Sequence, residues 1–231
     1  MIASRDWKDL AANPEAFGEA EKKIYSTLEP ILCELLDELK TNNRIETVYV
    51  NAELDDLRVV VHSLEDCGRS YNLILNATDS HEKAMNFTQA LTPFGFDNVS
   101  AFNLLIQVGV LGTILSTEMF RTTLLFHSKG LKPTATIGEL LRELQNDDGA
   151  PKAVAKLRPY LDLNFRNAVA HGMFGLQGDK IVLYKNAKFE ILEKLTFADF
   201  MIRSKKQSVL THCLINVIVE KKRAGFFMEG T

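Results

Sequence analysis

The sequence predicts an all-α fold, a helical bundle with one small β-hairpin near residues 173–184. Three observations carry that reading. Helix-start signals recur along the chain: Asn13-Pro14, Thr136-Ile-Gly-Glu139, Pro151 and Thr196-Phe-Ala-Asp199 put capping side chains or prolines at the first turns of apolar-periodic stretches. The most apolar segment, Val99 to His127, is far longer than a strand. Met173 to Tyr184 alternates about Gly178-Asp179, a turn dipeptide.

Taken in order, Asn13 and Pro14 open a helix that runs to about Lys40. It is interrupted near Pro30, because proline lacks a donor and clashes with the preceding turn. Thr41-Asn42-Asn43 is a turn, and Ile45 to Val50 suits either a strand or the start of the next helix. Glu53 to Leu64 reads helical, and Ser80 caps a helix ending before Pro93. Pro93 to Asn98, with Gly95, is a loop and the candidate boundary between regions 1–98 and 99–231. After the Val99–His127 helix come a connector (Ser128 to Gly130, Pro133), a short helix from Ile137 to Gln145 and a turn at Asn146 to Gly149. A helix from Pro151 is broken by Pro159. The last helix follows Thr196 and reaches about Lys222, its apolar side made of Met201, Val209, Leu210, Cys213, Leu214, Val217 and Ile218. Gly225 to Thr231 reads as a frayed tail.

Composition excludes several classes. With 46% hydrophobic and 25% charged residues the chain is an ordinary globular protein. Its N-terminus lacks the apolar core of a signal peptide. The apolar run Val99 to Leu115 contains Asn103 and Gln107 and reads as a buried helix rather than a membrane span. Cys33, Cys67 and Cys213 are widely spaced and form no C-x-x-C or zinc pattern, so reduced thiols and a cytoplasmic location are expected. No P-loop or dinucleotide fingerprint is present, and no cofactor or metal is expected. His62, His81, His127 and His212 stand alone, and Asp55-Asp56 and Asp147-Asp148 suit caps and turns. Gly109 and Gly112 suit close helix approach, in the core or at a dimer seam.

The net charge of −3 conceals an asymmetry. Residues 1–150 carry 13 Lys and Arg against 23 Asp and Glu, whereas residues 151–223 carry 14 against 6. A polyanion meeting the basic segment accounts for this, and so does pairing between the two parts of the chain.

The chemistry concentrates at Leu161 to Gly172. On a helix Leu161, Phe165, Ala168, Val169 and Gly172 share an apolar stripe, Asn164, Asn167 and His171 share a second face, and Arg166 lies on the opposite flank. Arginine grips planar oxyanions and histidine moves protons near neutral pH, a set suited to a phosphodiester. The same residues also suit a plain surface helix, with Gly172 as its C-cap and His171 near the negative end of the dipole.

Arg166-Asn167-Ala168-Val169-Ala170-His171 resembles the R-N-x-x-x-H signature of HEPN domains, small all-α proteins of prokaryotic defence and toxin systems, many of them metal-independent ribonucleases. The likeness covers about Val99 to Arg223, so residues 99–231 read as a HEPN-like domain and residues 1–98 as a mostly helical region of unassigned role. The resemblance implies an RNA endonuclease of defence or stress response that leaves 2′,3′-cyclic phosphate and 5′-hydroxyl ends. The alternative it admits is a non-catalytic interaction or nucleotide-binding module working through a regulatory protein.

RNA brings its own 2′-hydroxyl nucleophile, so His171 is the candidate general acid or base, Arg166 the phosphate clamp, and Asn167 an orienting or phosphate-binding group. Asn164, Lys152, Lys156 and Arg158 are candidate RNA contacts. Arg166 and His171 point about 140° apart on an ideal helix. Either Arg166 reaches round over the small Ala170, or a homodimer builds a composite site from two motif helices. Some HEPN toxins continue as R-x4-H-x-Y; here that position is Met173, so regulation through such a tyrosine is not implied, and neither Phe174 nor Tyr184 takes the role from sequence.

Overall fold

A computed structural model describes residues 18–45, 98–132, 134–178 and 180–227. The elements are α1 (Glu19–Thr41), α2 (Asn98–His127), α3 (Ile137–Leu144), α4 (Pro151–Leu157), a 3-10 turn (Arg158–Tyr160), α5 (Leu163–Ala170), β1 (Phe174–Gln177), β2 (Lys180–Tyr184), β3 (Ile191–Leu195) and α6 (Phe197–Arg223). The expected helices before residue 98, apart from α1, and the proposed domain boundary lie outside the described residues. Two compact units emerge: 1–62 with 117–161 and 209–231, and 63–116 with 162–208.

In the first unit, α1 is one helix through Pro30, not two. Leu28, Leu32, Leu35, Leu36 and Leu39 are fully buried on both sides of the proline. Burying a leucine stabilises by roughly 1.5–3 kcal/mol, so several together outweigh the roughly 3 kcal/mol cost of an internal proline. The short α3 is opened by the expected capping box, in which Glu139 N–H donates to Thr136 Oγ1 and Thr136 N–H to Glu139 Oε2. The Thr136 N–H and hydroxyl, both donating to Oε2, hold the Glu139 carboxyl below its usual pKa. Pro151 occupies the first turn of α4, and Arg158–Tyr160 separates α4 from α5. Tyr25 receives the Asn216 amide at 3.0 Å, and burial pushes its phenol up to about 12. Cys33 and Cys213 are free thiols. Gly225 to Phe227 are not frayed: Phe227 is buried and its ring lies 5.3 Å from that of His127, while Lys40 and Lys221 sit over the Phe226 ring.

The second unit surrounds a core of Leu105, Ile106, Phe165, Ala168, Val169, Ile181, Leu183, Leu195, Phe197, Phe200 and Met201. The expected hairpin is the first part of a three-stranded antiparallel sheet, order β1-β2-β3. Phe174 pairs with Leu183 and Leu176 with Ile181, and β2 continues onto β3 with a bulge at Leu183/Tyr184. β3 escaped the sequence reading because only Leu195 of its five residues is buried, so it lacks the alternation of a half-buried strand. Gly109 lies inside this core: Ser204 Oγ donates to its carbonyl at 2.8 Å, and Thr113 Oγ1 lies 2.8 Å from Ser204 Oγ. Thr196 and Asp199 form the second box, with Asp199 N–H donating to Thr196 Oγ1 at 3.1 Å.

Among the described residues no helix is long and apolar enough to cross a membrane.

Candidate functional site

Helix α5 is eight residues long, too short to be stable alone in water. Several contacts hold it. Its apolar stripe, Phe165, Ala168 and Val169, is buried in the core of the second unit, and the Phe165 ring meets that of Phe200 edge-on at 5.4 Å. At its start Asp162 is the N-cap, accepting the Phe165 N–H at 3.1 Å through one carboxylate oxygen. The other oxygen accepts from Arg203 Nη1 at 3.1 Å, and Arg203 Nη2 donates to Glu193 at 2.6 Å. One guanidinium therefore ties α5 to β3 from α6, 5.9 Å from the Phe165 ring.

The end of α5 is equally defined. Met173 N–H donates to Ala168 O at 2.7 Å and Gly172 N–H to Val169 O at 3.2 Å, with Gly172 at φ +65°. This pair of bonds is a Schellman motif, which closes a helix through a left-handed residue. The C-cap reading of Gly172 is thus realised, and it leaves His171 exposed at the C-cap, its own N–H donating to Asn167 O at 3.0 Å.

Asn164, Asn167 and His171 are exposed, as their shared face requires, and Arg166 is half-buried. The Arg166 side chain does not simply stand on its own flank: Nη1 donates to Asn167 Oδ1 at 3.3 Å. Asn167 lies about 100° round the helix from Arg166, and His171 about 40° further. That bond therefore draws the guanidinium toward the histidine side. It brings Arg166 and Asn167 together, and the exposed imidazole is one turn onward.

The other candidates lie elsewhere. Lys152, Lys156 and Arg158 belong to the first unit. All three are exposed, but Lys156 Nζ is held by both Glu34 oxygens at 2.9 and 2.7 Å, and the Lys152 N–H donates to Glu38. Lys221 likewise pairs with Asp37. Part of the basic excess thus neutralises the acidic α1, the second of the two accounts of the charge asymmetry.

Sequence reasoning missed Arg203 and Glu193, which position α5 from 41 and 31 residues away and carry no local pattern. Asp162 had a signal, an N-cap residue three before Phe165. A cavity of about 310 Å³ beside α2 and β1 is lined by Ile106, Gln107, Phe174, Gly175, Leu176 and Ile181 and is separate from the wet face of α5. Among the described residues no group of three or more His, Cys, Asp or Glu side chains could hold a metal ion.

Comparison with known families, with curated proteins and with solved structures returns no match to this chain.

Proposed function

We propose that the protein is a metal-independent RNA endonuclease of HEPN type acting in defence or stress response, with Arg166, Asn167 and His171 as its reacting set. The observation that carries this is the turn of the Arg166 guanidinium onto Asn167, on the side of α5 where the exposed His171 stands. A guanidinium held beside an amide places positive charge where it can stabilise the phosphorane as it forms. In the reaction the RNA 2′-oxygen attacks phosphorus and loses its proton, and the 5′-oxygen leaves and gains one. His171 serves one of these transfers. The products are a 2′,3′-cyclic phosphate and a 5′-hydroxyl, and no metal enters the balance.

In this reading two chains pair so that motif helices complete each other, His171 of one with Arg166 of the next. The test is end-group analysis of RNA incubated with the protein in EDTA. The expected result is 2′,3′-cyclic phosphate ends, lowered roughly 10²–10⁴-fold by His171→Ala, the usual worth of one acid or base. Because His171 is exposed, the variant should fold as the wild type does. Wild-type rates in His171→Ala, or products ending in 5′-phosphate, overturn the assignment.

A further inference from the structure

The sheet that follows α5 has two unlike faces. Phe174, Ile181, Leu183 and Leu195 face the core, with Leu176 on the same face but 41% exposed; Gly175, Lys180, Val182, Tyr184, Ile191 and Lys194 share the other face by strand alternation and register, where Val182 in the middle is itself buried. On this outer face the Tyr184 ring lies across Gly175, whose missing Cβ would sit 3.6 Å from it. Phe189 meets Tyr184 edge-on, centroids 5.3 Å apart at 89°.

Phe189 is the anomaly. It is 68% exposed, and its backbone is left-handed at φ +58°, a conformation that bulky side chains rarely adopt. Four hydrogen bonds hold the loop in that form. Asn186 Oδ1 accepts the Lys188 N–H, Asn186 O accepts the Phe189 N–H, Asn186 Nδ2 donates to Glu190, and the Lys185 N–H donates to Glu190 O. An ordered turn thus keeps a large apolar ring in water at a backbone cost. Strain of that kind, sustained by its surroundings, is characteristic of functional sites.

The charge around the rings has one sign to spare. Lys185 and Lys188 adjoin the two aromatics in sequence, and Lys194 shares the Tyr184 face. None of these three forms an ion pair among the described residues; Glu193 is paired with Arg203, and Glu190, which accepts the neutral Asn186 amide, keeps one negative charge against the three lysines. Rings for bases and lysines for phosphates are the two parts of a sequence-tolerant single-strand site.

The sheet is also near the motif. Tyr184 N–H donates to Met173 O, and Met173 is two residues beyond His171. From strand-pair and chain dimensions the Cα atoms of Tyr184 and His171 are within about 13 Å. A strand of a few nucleotides reaches both.

We propose that this outer face is a docking platform for single-stranded RNA, with Phe189 and Tyr184 stacking on bases and Lys185, Lys188 and Lys194 meeting phosphates. It deepens the ribonuclease reading by naming the form of its substrate. The probe is a fluorescent 2′-O-methyl RNA of about ten nucleotides, within the span of one such site, which cannot be cleaved for want of a free 2′-hydroxyl. It is offered to the full-length protein as a single strand and as a duplex. The single strand is expected to bind more tightly. Phe189→Asn, which removes the ring while tolerating a left-handed backbone, should weaken that binding roughly 5–150-fold, the worth of one base stack. Lys185→Gln with Lys188→Gln should flatten the slope of log affinity against log salt by roughly 1.4, two phosphate contacts on a single strand. Wild-type affinity in a folded Phe189→Asn, or preference for the duplex, overturns the platform. So does loss of self-association by Phe189→Asn with RNA binding intact, which gives the rings to a second copy of the chain. The two readings separate cleanly. Cleavage in EDTA with unchanged Phe189→Asn binding removes the platform and leaves the ribonuclease. Phe189-dependent binding without cleavage does the reverse.

Discussion

Two glycines with the same open surroundings should respond in opposite directions to one added methyl group. A Cβ built on Gly172 or on Gly138 meets nothing within 4 Å, so neither substitution to alanine creates a clash. The difference is the backbone. Gly172 sits at φ +65° and closes α5 through the Schellman bonds, whereas Gly138 lies in the first turn of α3 in ordinary helical geometry. For an L-residue the left-handed conformation costs roughly 1–2 kcal/mol. Glycine in a helix is worse than alanine by roughly 0.5–1 kcal/mol, largely because it is freer when unfolded. For a chain of this size 1 kcal/mol moves Tm by roughly 2–4 °C. Gly172→Ala should therefore lower Tm by roughly 2–8 °C and Gly138→Ala raise it by roughly 1–4 °C, read by differential scanning calorimetry at one scan rate. Gly172→Asn should fall between wild type and Gly172→Ala, since asparagine tolerates this region best after glycine. A Gly172→Ala protein as stable as wild type would refute the reasoning, because it would mean that α5 does not end through a left-handed residue. His171 would then not be presented as described.

Other consequences are quickly stated. Gly109→Ala would place a methyl 2.5 Å from the Phe200 ring and 3.2 Å from Met201 Sδ, so it should cost roughly 1–3 kcal/mol of stability in a urea titration. Burial holds the His127 imidazole below its usual pKa of 6.5, with the Lys222 charge acting the same way against the Thr123 carbonyl hydrogen bond. The unfolded chain thus binds this proton more readily, so the contribution is complete above about pH 6.5 and is lost on acidification; His127→Phe should flatten the fall of Tm between pH 7 and pH 5, and an unchanged slope refutes the assignment. Mixing Arg166→Ala with His171→Ala under subunit exchange should restore part of the RNA cleavage, because a mixed dimer keeps one intact Arg166–His171 pairing. No recovery places both groups of a working pair on one chain.

How much of this was legible in the sequence depends on whether the cause was local. The ends of α3, α4 and α6 follow from a threonine box, a proline and a second threonine box, each satisfied within four residues. Within α5 the faces follow from angle, Phe165, Ala168 and Val169 being buried while Asn164, Asn167 and His171 are not; Leu161 and Gly172, placed on the same stripe, fall outside the helix, and Gly172 is exposed. The misses have distant causes. α1 continues through Pro30 because leucines on either side are buried, which no window around the proline reveals. β3 is held by its pairing with β2 and by Arg203 on Glu193, not by an apolar pattern of its own. Phe227 is fixed by His127, a hundred residues back. At the motif the sequence supplied the residue types and their directions but not the lean of Arg166 onto Asn167. An arginine with about four rotatable bonds is settled by its neighbours rather than by helical spacing.

The charge asymmetry resolves into two populations with different roles. Lys156 and Lys221 answer Glu34 and Asp37 of α1 inside the first unit. Surface pairs of this kind are worth roughly 0–1 kcal/mol each and weaken with salt, so they act on stability far more than on recognition. Lys185, Lys188 and Lys194 belong to the second unit, the first two in the β2–β3 loop that carries the exposed Phe189 and the third on β3, and they form no ion pair among the described residues. A lysine already facing a carboxylate must lose that partner before it meets a phosphate, and the exchange returns little. A lysine facing only water releases a counterion from the nucleic acid at no such cost. If the proposed RNA site is right, the salt dependence of binding should follow these three lysines rather than Lys156. Its neutralisation should register in the melting curve of the protein instead.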